Sequence, residues 1–273
     1  MHSFLKQKKI GFVGSGNMTR SLVSGLSLNK DINLKNIYVS NRTPLKARQL
    51  AEKFNVEFIE HVDDLLDSCD IIVIAIKPQD LPGFLNTYGK SFTEDHVVLS
   101  LCAGIKLENL QSQLPDVNGV VRLMPSTTCE YGSGILGVYS ENEALALEVE
   151  EYFSSVGSVQ IVENEEALDG IMISAASGVG FILEIMQIWS EWLVEMGFDD
   201  QQADDITRMS FAGVSEMLKN SNKSFMQMQN DVTSKKGVTL AGLEMMRSSH
   251  LDEVLSKGFE AAVRRSRELE ELI

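Results

Sequence analysis

The run Gly14-Ser15-Gly16-Asn17-Met18-Thr19 has the residue types and spacing of a phosphate turn. It follows an apolar stretch, Lys9 to Gly14, that reads as a buried strand. It precedes a stretch carrying Leu22, Val23 and Leu26 on one helical face. Gly14 permits a tight turn, and Gly16 has no side chain to keep a pyrophosphate from the backbone. A helix starting there offers free N–H groups and a partial positive charge. The third position of such turns is usually Gly or Ala and is Thr19 here. The placement predicts a dinucleotide site built from Gly14, Ser15, Gly16, Asn17 and Met18 rather than an incidental glycine turn.

The end of the second strand chooses the cofactor. An NAD site usually closes there with Asp or Glu on the ribose 2′-hydroxyl. This chain has Ser40-Asn41-Arg42-Thr43 with no acid, and Arg42 can pair bidentately with a 2′-phosphate. The expectation is NADPH in preference to NADH, held by Ser40, Asn41 and Arg42, with a solvated loop arginine as the alternative reading of Arg42.

The elements that must hold these residues follow an alternating pattern. Asn36 to Ser40 reads as a strand, and Thr43-Pro44 as an N-cap and first-turn proline of a helix carrying Leu45, Leu50, Ala51 and Phe54. Asp63 is expected to cap a short helix to Ser68. Ile71 to Ile76, Val97 to Leu101, Val120 to Met124 and Ile135 to Tyr139 read as further strands. The fold class is α/β: a doubly wound parallel sheet followed by an all-helical domain. The boundary is placed at 162, giving domains 1–162 and 163–273. Helices are expected over 164–196 (one long or two abutting, stopped by Gly197), 200–219, 239–248 and 251–272.

Composition narrows the function classes. Acidic residues number 39 against 24 basic, a formal charge of -15, which argues against nucleic acid. Three cysteines without CxxC spacing and four scattered histidines predict no disulfide framework and no metal site. The basic N-terminus, Met1 to Lys9, leads into a strand without a signal-peptide core, and Ile171 to Val194 is interrupted by polar residues. That segment reads as a buried soluble helix, so a cytoplasmic protein without a membrane span is expected. The apolar content of the helical half predicts partial burial by a partner subunit.

At several ordered points the chain resembles the pyrroline-5-carboxylate reductase family. The matching segments are Gly14 to Met18, Ser40-Asn41-Arg42, Ala75-Ile76-Lys77-Pro78-Gln79, Cys102-Ala103-Gly104-Ile105, Arg122-Leu123-Met124-Pro125, Asp231 to Ser234 and Gly237 to Leu243. The resemblance spans nearly the whole chain. It implies a Rossmann domain with a helical dimerisation domain, often in larger rings, and reduction of a cyclic imino acid to L-proline by NADPH or NADH. By the same resemblance Ala75, Ile76, Lys77 and Pro78 lie along the cofactor, and Cys102 and Ala103 near its nicotinamide end. Cys102 also reads as a small buried apolar residue. Thr239 would meet the imine nitrogen, and Ser234, Gly237 and Val238 the substrate carboxylate, in a loop that opens a helix. A plain N-cap residue is the other reading of Thr239.

The departures from the family fall mostly in the substrate half. A Pro-Gly pair of the family is Lys235-Lys236, a proline is Phe181, and an asparagine near the adenosine is Val62. Three readings stay open at this level: a proline-forming reductase with a drifted loop, a reductase of a related cyclic imine or imino acid, and a non-catalytic NADP-binding sensor or scaffold.

Overall fold

The structure, a computed structural model, describes residues 4–270. It falls into two compact units. One runs to Val179 and takes in the chain again from Ala262; the other is Gly180–Ala261. Met1 to Ser3 of the basic N-terminus, and residues 271 and 272 of the last expected helix, lie outside the described residues.

In the first unit, β1 (Ile10–Val13), α1 (Asn17–Leu26), β2 (Ile37–Ser40), α2 (Pro44–Phe54), β3 (Glu57–Phe58), α3 (Val62–Ser68) and β4 (Ile71–Ile74) come first. They are followed by α4 (Leu81–Tyr88), β5 (Val97–Ser100), α5 (Leu107–Gln113), β6 (Gly119–Pro125), β7 (Gly134–Tyr139), α6 (Glu143–Tyr152) and β8 (Gly157–Ile161). The strands form one sheet in the order β3-β2-β1-β4-β5-β6-β7-β8. The first six run parallel. Strand β7 turns antiparallel to β6, and β8 pairs parallel with β7, so the expected parallel sheet gains a two-strand reversed edge. The reversal follows from chain length: only eight residues separate β6 from β7, too few for the crossover that a parallel neighbour needs.

Strand alternation builds a core on each face. Ile10, Phe12, Ile71, Val73, Val97 and Leu99 point into one cluster with Leu22, Val23 and Leu26 of α1. Val13, Ile72, Ile74 and Val98 point into the other, with Leu65, Leu81 and Leu110. Burial of both faces explains why these strands read as unbroken apolar runs.

Local expectations meet several corrections. Thr43 occupies the N-cap of α2, but its side chain makes no capping bond, and Leu45 is exposed while Ala47 is buried. Asp63 is not a cap. His61 holds that position, and Asp63 lies in the first helical turn, where its charge meets the positive helix end. The strand at 71–76 ends at Ile74, leaving Ala75 and Ile76 in the loop at its carboxyl end.

Helix α7 (Glu165–Ile171) passes through a π turn (Met172–Ser177) into α8 (Gly178–Glu195), one continuous 31-residue helix. Gly197, at φ +99, ends it in the left-handed region that glycine adopts freely. The helix is not buried within one chain as expected: Leu183, Ile188 and Trp192 are all more than half exposed. Beyond it come α9 (Asp200–Lys219), α10 (Phe225–Asp231), α11 (Val238–Ser248) and α12 (Leu251–Glu270). Among the described residues of the second unit, Leu193 and Ala203 are its buried apolar side chains.

Candidate active site

Strand register sets the site. Val13 pairs with Ser40 on one side and Ile74 on the other, and Ile74 pairs with Ser100. The segments that follow these residues therefore leave the sheet at one edge: Gly14–Ser15, Asn41–Arg42, Ala75–Pro78 and Leu101–Ala103. This is the carboxyl edge, and the strand order reverses at β1 and β4. Ligands bind open α/β sheets at such a switch point.

The turn after β1 is held from both sides. The Gly14 N–H donates to the Ser40 carbonyl at 2.8 Å, and the Ala75 N–H donates to the Val13 carbonyl at 2.9 Å. Gly14 has φ +109, and a Cβ there would collide with the Ala75 carbonyl, so both backbone and space demand glycine. Thr19, the departure from Gly or Ala, is fully buried and donates its hydroxyl to the Gly14 carbonyl at 2.7 Å. That bond ties the turn to its helix.

Gly16 has an ordinary φ of -78, so its backbone does not require glycine. A Cβ there would meet no protein atom within 4 Å, which leaves the approach to the α1 N-terminus open. The buried Ser15 hydroxyl has no hydrogen-bond partner among the described residues. An open approach, an unmatched hydroxyl and the unpaired first-turn N–H groups of α1 fit a pyrophosphate.

Asn41 links the second strand to this turn: its side chain accepts from the Ser15 N–H at 3.4 Å and donates to the Thr43 carbonyl at 3.0 Å. The Arg42 side chain is 89% exposed, with Asp80 at 3.9 Å as its charged neighbour. It is therefore free to reach an anion beside Ser40 and Asn41.

The other side of the edge is made by two loops. Lys77 precedes the 3-10 turn Pro78–Asp80, whose Asp80 N–H returns to the Lys77 carbonyl at 2.9 Å. Cys102 is fully buried, its thiol 3.6 Å from the Ile76 carbonyl, and its N–H donates to the Ser100 hydroxyl at 3.3 Å. Burial pushes the thiol up to about 11, so it stays protonated and fills space between the two loops. Ala103 is half-buried, and Gly104 turns the chain at φ +71.

In the second unit, Ser234 to Gly237 form a turn closed by the Gly237 N–H on the Ser234 carbonyl at 3.0 Å. Its third residue, Lys236, has φ +61, the left-handed conformation that a glycine adopts freely at this position of a turn. A lysine in that conformation carries a local cost in strain. A Cβ on Gly237 would force the Ser234 hydroxyl out of its present position. Gly237 is also the N-cap of α11, which leaves Val238 and Thr239 in the first turn with N–H groups that have no intrahelical acceptor. Thr239 is thus not a cap, and both residues are exposed.

Phe181 packs edge-on against Phe259 of α12, with ring centroids 5.6 Å apart. Val62 opens α3 and packs against the apolar core.

One cluster had no assigned role. Arg122 of β6, pairing with Ser100, is 1% exposed and donates to Glu165 at 2.9 Å. An arginine inside an otherwise apolar strand was the available signal. Its carboxylate partner lies 43 residues away, at a distance no local pattern reports.

The comparisons with known proteins agree from end to end. Residues 165–269 match the family described as pyrroline-5-carboxylate reductase dimerisation, and residues 9–104 match NADP oxidoreductase coenzyme F420-dependent. A pyrroline-5-carboxylate reductase of Staphylococcus epidermidis is 29% identical over 265 residues, covering 96% of this chain and 97% of its own. Over nearly its whole length the chain is similar to pyrroline-5-carboxylate reductases. The structure of the Coxiella burnetii member superposes with a TM-score of 0.85 at 27% identity, over 96% of this chain and 98% of that one. The NADP-bound Plasmodium falciparum pyrroline carboxylate reductase gives the same TM-score at 22% identity, over 97% and 99%, and shares the fold. In this chain the Rossmann half carries its motifs at the carboxyl edge of the sheet, and a closed turn through Lys235 and Lys236 precedes α11.

Proposed function

We infer that this chain is an NADPH-dependent pyrroline-5-carboxylate reductase that reduces the C=N bond of 1-pyrroline-5-carboxylate to give L-proline. The observation that carries this reading is full-length similarity to reductases of that name, joined to a complete nucleotide edge on the first unit. NADPH held along that edge supplies the hydride. The Gly14 to Met18 turn receives the pyrophosphate on the α1 N-terminus, and the Ser15 hydroxyl gains the partner it lacks within the protein. Arg42, with Ser40 and Asn41, takes the 2′-phosphate. The backbone from Ala75 to Pro78 lines the cofactor, and Cys102 and Ala103 lie at its nicotinamide end.

The imine nitrogen of the substrate is basic enough to carry a proton near neutral pH, so the chemistry needs little acid catalysis. Thr239 offers a hydroxyl oxygen to the iminium N–H and fixes the face presented to the hydride. The carboxylate is assigned to the Ser234 hydroxyl and the free first-turn N–H groups of Val238 and Thr239. Gly237 contributes space rather than a donor, its own N–H being spent on the Ser234 carbonyl. Lys235 and Lys236 add positive charge beside this carboxylate.

Two copies are expected to pair through the helical half, the region matched by the dimerisation family. The exposed apolar side chains of α8 and α9 supply the surface to be covered. Assembly of dimers into a ring, and residence in the cytoplasm, complete the proposal; three buried cysteines without disulfides suit a reducing compartment. Expression of the chain in a proline auxotroph tests the function. Growth without proline is the expected result, and its absence despite soluble protein contradicts the assignment.

A further inference from the structure

We propose that Glu165 is a positioning residue for hydride transfer, acting by clamping the Cys102–Lys106 loop. The proposal rests on the reading above, in which that loop borders the nicotinamide. Its observation is a single carboxylate oxygen shared between two donors on different elements. Glu165 Oε1 accepts the Leu107 N–H at 2.7 Å and Arg122 Nη1 at 2.9 Å.

The loop is held at both ends. At its start, the Cys102 N–H is fixed by the Ser100 hydroxyl. At its end, Leu107 opens α5, and the residue before it is Lys106, whose side chain cannot accept a hydrogen bond from the helix. The helix therefore lacks a local cap and takes a remote one from α7. Between the two anchors, Gly104 reverses the chain at φ +71.

Arg122 holds the clamp itself in place. It is fully buried beside β5, its Nε and Nη2 make no hydrogen bond among the described residues, and the Asp169 carboxylate lies 3.9 Å from Nη2. The Glu165 carboxylate is the acid within hydrogen-bond distance of this charge. A purely structural ion pair would need Arg122 alone. The added bond to Leu107 couples the position of α7 to the loop.

The test compares Glu165→Ala, Glu165→Asp and Glu165→Gln with wild type in the full chain. Aspartate keeps a charge near Arg122 but is one methylene too short to reach both donors, so it carries the test where the alanine variant does not fold. Glutamine retains an oxygen that can accept both bonds. In the ligand-free protein, hydrogen exchange of residues 102–107 should quicken in the Ala and Asp variants and stay slow in Gln. In turnover of pyrroline-5-carboxylate, kcat should fall about 10- to 100-fold in Ala and Asp. The KM for NADPH should stay within about threefold, and the primary deuterium isotope effect with NADPH labelled at C4 should rise. Gln should recover most of kcat. Ala and Asp variants that lose thermal stability, yet keep wild-type loop exchange, kcat and isotope effect, would overturn the proposal. Wild-type protein that turns over no imine overturns the functional reading instead, and removes the basis of this one with it.

Discussion

In the proposed function the cofactor preference rests on Arg42, one exposed guanidinium next to a strand end without an acid. A charge-assisted bond to phosphate is worth about 1.5–3 kcal/mol. Arg42→Ala should therefore raise the KM for NADPH by about 10- to 100-fold and leave that for NADH unchanged. Steady-state kinetics with both cofactors checks this, and equal loss for the two would remove Arg42 from phosphate recognition. At this scale the sequence was most legible where a residue type has one mechanical use. Gly14 was read as a tight turn and sits at φ +109. It was least legible where the partner is remote in the chain. The bond from Thr19 to the Gly14 carbonyl, and the reach of Glu165 to Arg122 and Leu107, depend on packing that spacing does not encode.

The turn before α11 places a lysine in a conformation that glycine suits better. Lys236 at φ +61 carries about 1 kcal/mol of strain, partly offset because glycine would lose about 0.5 kcal/mol more chain entropy on folding. Lys236→Gly should accordingly stabilise the protein by about 0.5 kcal/mol. Denaturant unfolding reads the difference; a loss of stability would mean that the lysine side chain makes a compensating contact.

Among the elements, strands buried on both faces announced themselves as apolar runs, and β1, β2, β4, β5, β6 and β7 all fall where those runs lie. The short edge strand β3 and the edge strand β8 passed unread. The first has two residues, and in the second Ser158 and Gln160 alternate with apolar positions at the rim of the sheet. Helix α10 was missed for a related reason: Phe225 and Met226 are exposed, so its apolar residues do not mark an intramolecular face. The direction of β7 is a consequence of loop length and sheet geometry, which its own composition does not carry.

For the whole molecule, the first unit closes a core on each side of its sheet, while the second leaves much of its apolar surface uncovered in a single chain. A second copy is the covering that the dimerisation match implies. Trp192, half exposed on α8, is a suitable probe. Trp192→Glu should convert the dimer to monomer at micromolar concentration by light scattering, because burying an unpaired carboxylate in an interface costs several kcal/mol. A dimer of unchanged stability would place the interface elsewhere.

The activity is tested most directly by NADPH oxidation with pyrroline-5-carboxylate, measured for wild type and Thr239→Ala under the same conditions. The account predicts turnover to L-proline by the wild type and a loss of about 100-fold or more in kcat/KM for the variant. Equal rates in the two proteins would take Thr239 out of the mechanism, and an inert wild type would contradict the assignment itself.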